Sequence, residues 1–149
     1  MKIAIINLNS YEDFKDILPY LEILEDEIIN VQIDLFIDKQ YENDFLHLNE
    51  KYQLCTLDMN EIRILDIKFK LDKIRYHSLS KYDIAVDTQG SFKTAITTYL
   101  LCGRTAGFKK SGFNAFLTSL FYDEKVIYEN TTYSENIKKL LSKPFGISS

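Results

Sequence analysis

Two short polar stretches carry most of the side chains that could take part in chemistry. The first holds Ser10, Glu12 and Asp13, where a carboxylate could accept a proton from a sugar hydroxyl as a general base. It has no glycine and carries two acids, which excludes a loop that binds nucleotide phosphates. The alternative is structural, because an acid in a first helical turn complements the helix dipole. Taken alone, the residues favour the structural interpretation of Asp13.

The second stretch, D-T-Q-G-S-F-K-T at 87–94, lies between an apolar strand-like run and an apolar helical pattern. It brings Asp87, Gln89, Gly90 and Lys93 to one turn. Lys93 and the N-terminus of the helix could hold an anionic group together. In the structural alternative, Asp87 caps the turn, Gly90 supplies a backbone bend and Lys93 is solvated. The residues alone leave both interpretations open.

A third set of residues is basic, and such sets usually form a solvated helix face. They could instead recognise an acidic sugar or phosphates by charge-assisted hydrogen bonds. The set comprises Arg63, Lys68, Lys70, Lys73 and Arg75, with Lys109 and Lys110 further on. The two histidines and two cysteines match no metal-ligand spacing, so we expect no metal site.

The elements that must position these residues alternate along the chain. Apolar patterning predicts strands at 2–8, 31–37, 52–57, 82–87, 104–108 and 125–127. It predicts helices at 10–28, 42–48, 62–80, 91–102, 116–122 and 133–141. This order implies βαβ units and an α/β fold, a Rossmann-like three-layer αβα arrangement with a mostly parallel sheet. In such sheets ligands bind beyond the carboxyl ends of the strands, where both polar stretches lie.

Four local signals refine this prediction. Ser10 has the side chain of a helix N-cap. Pro19 should kink the first helix. The second strand alternates apolar and polar residues, which predicts that one of its faces is less deeply covered. Gly103 suits the left-handed position that ends a helix.

Length and composition limit the class of protein. A chain of 149 residues is one ordinary domain, so we expect a single domain over 1–149. A net charge of -4 argues against nucleic acid as a partner. No signal peptide and no apolar run of the roughly 18 residues needed to span a bilayer is visible, so we expect a cytoplasmic location.

Beyond these patterns, two segments resemble a known family. Residues 82–108, YDIAVDTQGSFKTAITTYLLCGRTAGF, and 116–126, FLTSLFYDEKV, resemble the lipopolysaccharide heptosyltransferases of glycosyltransferase family 9, closest to the heptosyltransferase I type. The family's S-x-G-D loop and following L-P match residues 10–13 and 18–19. The resemblance runs over essentially the whole chain, strongest in 82–127 and weakest in 38–80.

This resemblance implies a GT-B enzyme, in which two Rossmann-like domains face a cleft. The N-terminal domain binds the sugar acceptor and the C-terminal domain binds ADP-heptose. The reaction is an inverting transfer of heptose onto a Kdo sugar of the lipopolysaccharide inner core, without a required metal. The chain would then be the acceptor-binding domain, with Kdo-lipid A as partner and no cofactor of its own.

The same resemblance implies that ADP-heptose binds only through a C-terminal domain that this chain lacks, so the chain alone should not catalyse transfer. It also allows peripheral association with the cytoplasmic face of the inner membrane. Asp13 would be the general base. The implied acceptor-binding residues are Ser10, Arg63, Asp87, Gln89, Gly90 and Lys93.

Two positions depart from the family pattern, because Glu12 replaces a glycine and Asn114 replaces a basic residue. They favour a second hypothesis, a non-catalytic carbohydrate-binding or scaffold remnant of a glycosyltransferase. The distinguishing feature is whether Glu12 fills the space over Asp13. A flavodoxin-like or receiver-like domain is a more distant alternative. It is disfavoured because the loops lack a phosphate-binding glycine or Ser/Thr run and no acidic cluster follows the second strand.

Overall fold

A computed structural model describes residues 1–58 and 82–148. Its centre is a six-stranded sheet in which neighbouring strands pair in parallel, in the order β3-β2-β1-β4-β5-β6. The strands are β1 (Lys2–Ile6), β2 (Gln32–Asp38), β3 (Gln53–Leu57), β4 (Ile84–Asp87), β5 (Thr105–Lys109) and β6 (Glu124–Ile127). The predicted Rossmann-like α/β fold is thereby confirmed. The predicted helix at 62–80 lies outside the described residues.

The helices are short and lie on both faces of the sheet. They are α1 (Tyr11–Phe14), α2 (Leu18–Glu27), α3 (Glu42–Phe45), α4 (Phe92–Leu101), α5 (Phe113–Ser119) and α6 (Tyr133–Leu140). On one face, α2 and α6 pack side chains such as Leu21 and Ile137 against Ile5 and Val86. On the other face, α4 packs against β1 and β4, where Ala4 and Ala85 are buried.

The two central strands follow directly from their composition. The residues Ile3–Ile6 of β1 and Ile84–Asp87 of β4 are fully buried, as expected for strands covered on both faces. The strand order reverses between them, because β1 continues to β2 on one side and β4 to β5 on the other. That switch point leaves a crevice at the carboxyl ends of the strands, where both polar stretches begin.

The prediction of a less covered face on β2 is wrong, since every residue of β2 after Gln32 is buried. Asp34 is only 1% exposed. Its carboxylate is tolerated because Lys2 Nζ lies 3.1 Å away and the Tyr82 hydroxyl donates a hydrogen bond at 2.7 Å. Lys2 belongs to β1 and Tyr82 lies two residues before β4, so the sequence of β2 alone does not reveal either partner.

Pro19 divides the first helical region, as predicted. A 3-10 turn at Lys15–Ile17 separates α1 from α2, and Pro19 lies in the first turn of α2, where its missing N–H is not needed. Ser10 occupies the N-cap position of α1, but its side chain makes no capping hydrogen bond.

The start of α5 and the end of α4 differ from prediction. Gly103 is not left-handed, because Cys102 already leaves α4 with extended backbone that leads directly into β5. Helix α5 begins at Phe113 rather than at 116, after Gly112 with a φ of 103°. Phe113 is exposed. Within residues 1–58 and 82–148, none of the helices is long and apolar enough to cross a membrane.

Candidate functional site

The two polar stretches meet at the carboxyl edge of the central strands. We name residues 7–13 the first loop and residues 87–93 the second loop. The strands that precede them are neighbours in the sheet, with Ile6 of β1 in register with Asp87 of β4. The fold thus brings together two stretches that are more than seventy positions apart in sequence and that hold predicted site residues.

Hydrogen bonds join the two loops directly. Asn7 Nδ2 donates to Thr88 Oγ1 at 2.9 Å, and the Leu8 N–H donates to Gln89 Oε1, also at 2.9 Å. From α6, the Tyr133 hydroxyl donates to the Thr88 carbonyl at 3.0 Å. Asn7, Thr88 and Tyr133 were not among the predicted site residues, and their role depends on contacts between distant segments.

Asp13 presents a solvent-exposed carboxylate at this edge. The Ser10 hydroxyl donates to Asp13 Oδ2 at 3.2 Å, so the serine contacts the acid instead of capping the helix. The neighbouring Glu12 forms an ion pair with Lys15 Nζ at 2.6 Å, and its side chain is 77% exposed. Because Asp13 remains exposed, Glu12 does not cover it.

Asp87 lies beneath the second loop and has no exposed surface. Its Oδ1 accepts hydrogen bonds from the N–H groups of Gln89 and Gly90, both at 2.9 Å. Its Oδ2 accepts from the Tyr122 hydroxyl at 2.5 Å. Burial raises the pKa of Asp87, and these donors oppose the rise because they favour the carboxylate. The residue holds the turn in shape from below.

Tyr122 reaches Asp87 because position 107 is a glycine. A Cβ at Gly107 of β5 would overlap the ring of Tyr122. The ring is buried, and burial together with the nearby Asp87 raises the pKa of Tyr122, so it stays a hydrogen-bond donor. Tyr122 was missed as a site residue. The signal that could have found it is the aspartate at the end of a buried strand, which requires a donor.

Gly90 and Lys93 are the remaining predicted residues of the second loop. Gly90 has a φ of 76°, which a side chain rarely adopts. Lys93 is exposed in the first turn of α4, whose N-terminus is closed by a capping box between Ser91 and Thr94. On the other side of the turn, the Lys110 ammonium would lie 3.5 Å from a Cβ at Gly90.

Lys110 is positioned by aromatic rings, with its Nζ 4.8 Å from the centroid of Tyr128 and 5.8 Å from that of Phe108. A basic group beside the bend at Gly90 can attract an anionic group at this edge. The predicted basic residues Arg63, Lys68, Lys70, Lys73 and Arg75 lie outside the described residues.

The described residues offer no cluster of His, Cys, Asp or Glu side chains that could hold a metal ion. His47 Nε2 lies 3.0 Å from the Tyr11 hydroxyl. Burial raises the pKa of Cys55 to about 11, which keeps it a thiol at neutral pH. Cys102 is buried and its Sγ donates to the Tyr82 carbonyl at 3.1 Å.

The same fold occurs in solved glycosyltransferases. The chain matches the structure of E. coli heptosyltransferase WaaC with ADP with a TM-score of 0.79 and 22% identity, over 99% of this chain and 48% of that chain. It matches the glycosyltransferase family 9 protein of Veillonella parvula with a TM-score of 0.78 and 16% identity, over 99% of this chain and 42% of that one. No family model matches the sequence.

Sequence comparison also finds a relative among the lipopolysaccharide heptosyltransferases. The chain is 27% identical over 140 residues to lipopolysaccharide heptosyltransferase 1 of Campylobacter coli, which is 92% of this chain and 38% of that protein. The predicted resemblance to lipopolysaccharide heptosyltransferases is confirmed. The chain is heptosyltransferase-like and spans less than half the length of these relatives.

Proposed function

We propose that this chain is the acceptor-binding half of a GT-B heptosyltransferase. Its acceptor is the Kdo-containing inner core of lipopolysaccharide, and the heptose comes from ADP-heptose bound by a second half. In this proposal the protein acts in the cytoplasm, at the inner membrane that holds the lipid-linked acceptor. The chain alone binds acceptor and transfers no sugar.

The observation that supports this proposal is the exposed carboxylate of Asp13 at the switch point of the sheet. A general base must be reachable by the hydroxyl that it deprotonates. Asp13 is reachable because Glu12 is paired with Lys15 instead of covering it. This arrangement favours a surviving acceptor site over a non-catalytic remnant.

The proposed reaction uses Asp13 for one proton. The carboxylate takes the proton of the acceptor hydroxyl as that oxygen bonds to the anomeric carbon of heptose. The bond from this carbon to the phosphate oxygen of ADP breaks, and ADP leaves with the electron pair. Attack opposite the leaving group inverts the configuration at the anomeric carbon.

The other predicted residues are assigned to acceptor binding. Ser10 orients the carboxylate of Asp13, to which it already donates. Gln89 and Gly90 form the outer wall of the turn, which Asp87 holds from below. Lys93 and Arg63 would meet the acidic groups of Kdo or its phosphates.

The test is an NMR titration of the 149-residue chain with a Kdo-containing inner-core fragment that carries no acyl chains. We expect amide shifts at residues 9–13 and 87–93 with this fragment, and none with ADP-heptose. Lys93→Gln should weaken fragment binding by about tenfold, since a charge-assisted hydrogen bond is lost. Lys125→Gln, an exposed lysine on β6, is the matched control and should leave binding unchanged.

Two results would contradict the proposal. If the fragment moved no amide of either loop, acceptor binding would be refuted and the remnant hypothesis would lead. If ADP-heptose shifted the same loops, the donor would not be reserved for a second half.

A further inference from the structure

Helix α5 exposes an apolar stripe along its whole length. Its members are Phe113, Phe116, Leu117 and Leu120, with exposed fractions of 75%, 52%, 37% and 57%. Their spacing places them on one side of the helix, whereas Thr118 and Ser119 on the other side are buried. Such a contiguous apolar surface on a folded chain indicates an interaction site.

An aromatic cluster extends this stripe onto α4. Phe121 follows the stripe directly, and its ring packs edge-on against Phe92 at 5.8 Å and Tyr99 at 5.7 Å. Phe92 and Tyr99 keep 45% and 58% of their surface exposed. We call the stripe and this cluster together the α4–α5 face.

The sequence segment that forms this face carries charge of one sign. Residues 88–122 contain no aspartate or glutamate, although the whole chain has a net charge of -4. The basic residues in that segment are Lys93, Arg104, Lys109 and Lys110. Arg104 is paired with Glu124, which leaves the three lysines to set the charge next to the apolar surface.

From this combination we propose that the α4–α5 face docks on an anionic lipid bilayer. Phenylalanine, leucine and tyrosine enter the boundary between headgroups and acyl chains, and flanking lysines attract anionic headgroups. The proposal deepens the proposed function, because a lipid-linked acceptor would then be met at the surface on which the protein rests.

Two other occupants fit the geometry less well. Phe113 lies just beyond the carboxyl end of β5. Leu120 lies towards the opposite end of that strand, because the N–H of Asp123, three residues later, bonds to the carbonyl of Thr105 at the start of β5. A partner domain above the carboxyl edge would therefore cover only the Phe113 end. A second copy of the chain docked through the same face would bring the lysines of the two copies close together, and their like charges oppose association.

The test is co-sedimentation of the 149-residue chain with vesicles of phosphatidylcholine and phosphatidylglycerol, compared with phosphatidylcholine alone. We expect binding to the anionic vesicles that weakens as salt is raised. The double variant Phe113→Ser/Phe116→Ser should lower the partition coefficient by about tenfold or more, since two aromatic side chains lose their apolar burial. Ile29→Ser, which removes an apolar side chain that is 88% exposed in the turn before β2, should bind as the parent chain does.

Three outcomes would overturn the proposal. The parent chain could fail to bind anionic vesicles, or the double variant could bind as well as the Ile29→Ser control. Light scattering could instead show a dimer that the double variant abolishes, which would assign the face to a second copy. Because the titration fragment carries no acyl chains, sugar binding succeeds or fails independently of this result.

Discussion

At the scale of single residues, Asp87 is a fully buried acid that shapes the second loop through hydrogen bonds. Two backbone N–H groups and the Tyr122 hydroxyl surround it, and the turn at Gln89 and Gly90 takes its shape from them. Burial nevertheless raises its pKa above the ordinary value of 3.8. The folded chain therefore holds a proton on Asp87 at pH values where the unfolded chain has lost it. This difference links the stability of the second loop to pH.

Replacing Asp87 by asparagine should remove this link. In the parent chain, the contribution of Asp87 to the free energy of unfolding is largest below pH 3.8 and falls as pH rises towards the folded-state pKa, because the folded state binds more protons in that interval. Urea unfolding of the parent and of Asp87→Asn, measured over a series of acidic to neutral pH values, gives the difference. We expect the stability of the variant, relative to the parent, to improve with rising pH.

Tyr122→Phe is the companion variant, since it keeps the ring and removes the donor to Asp87. It should lower the free energy of unfolding at neutral pH by about 1–3 kcal/mol, as expected for an unsatisfied buried carboxylate oxygen. A difference between parent and Asp87→Asn that did not vary with pH would refute this account of Asp87.

At the scale of elements, the contact between β5 and the chain after α5 depends on the absence of a side chain. Gly107 lets the Tyr122 ring lie directly on the strand. Gly103, two residues before β5, has open space around its Cβ direction and no positive φ. Gly103 therefore serves as a control position at which an added methyl group meets no neighbour.

Gly107→Ala should lower the free energy of unfolding by about 1–3 kcal/mol, because the added methyl group pushes the Tyr122 ring away from β5. Gly103→Ala should change it by less than about 0.5 kcal/mol. Thermal or urea unfolding of both variants measures the effect. Equal stabilities for the two variants would mean that Tyr122 can move without loss.

The elements themselves were largely predictable, whereas their polar contacts were not. The apolar runs of β1 and β4 define those strands within a few residues, since a doubly covered strand excludes polar side chains. The buried pairing of Asp34 was missed because Lys2 and Tyr82 are distant from β2 in sequence. At the candidate site, Asp13 and Asp87 were predicted from their positions after strands. Tyr122 lies just before β6 and Lys110 just after β5, and only the folded sheet brings them near the second loop.

At the scale of the whole molecule, one sheet joins two apolar layers. The central strand β1 contributes Ile3 and Ile5 to one layer and Ala4 and Ile6 to the other. Across the sheet, the Lys2–Asp34–Tyr82 contacts link β1, β2 and the segment that leads into β4. Because the same strands carry side chains of both layers, loss of packing in one layer should also disrupt the other.

The chain should accordingly unfold in one cooperative transition. It has ten tyrosines and no tryptophan, so tyrosine fluorescence reports tertiary packing while far-UV circular dichroism reports the helices and strands. The two midpoints in urea should coincide. In Gly107→Ala both midpoints should shift together, and separate midpoints in either chain would show that the layers unfold independently.

The bond from the Leu8 N–H to Gln89 Oε1 has a mechanical consequence. Beyond the last pair of β1 and β4, the glutamine amide takes the place of a strand carbonyl and continues the ladder with a side chain. Together with the Asn7–Thr88 bond, it couples the first loop to the second loop, so the two loops should move together. A force on one loop is therefore expected to displace both, and a change of the side chain at position 89 would let each loop respond on its own.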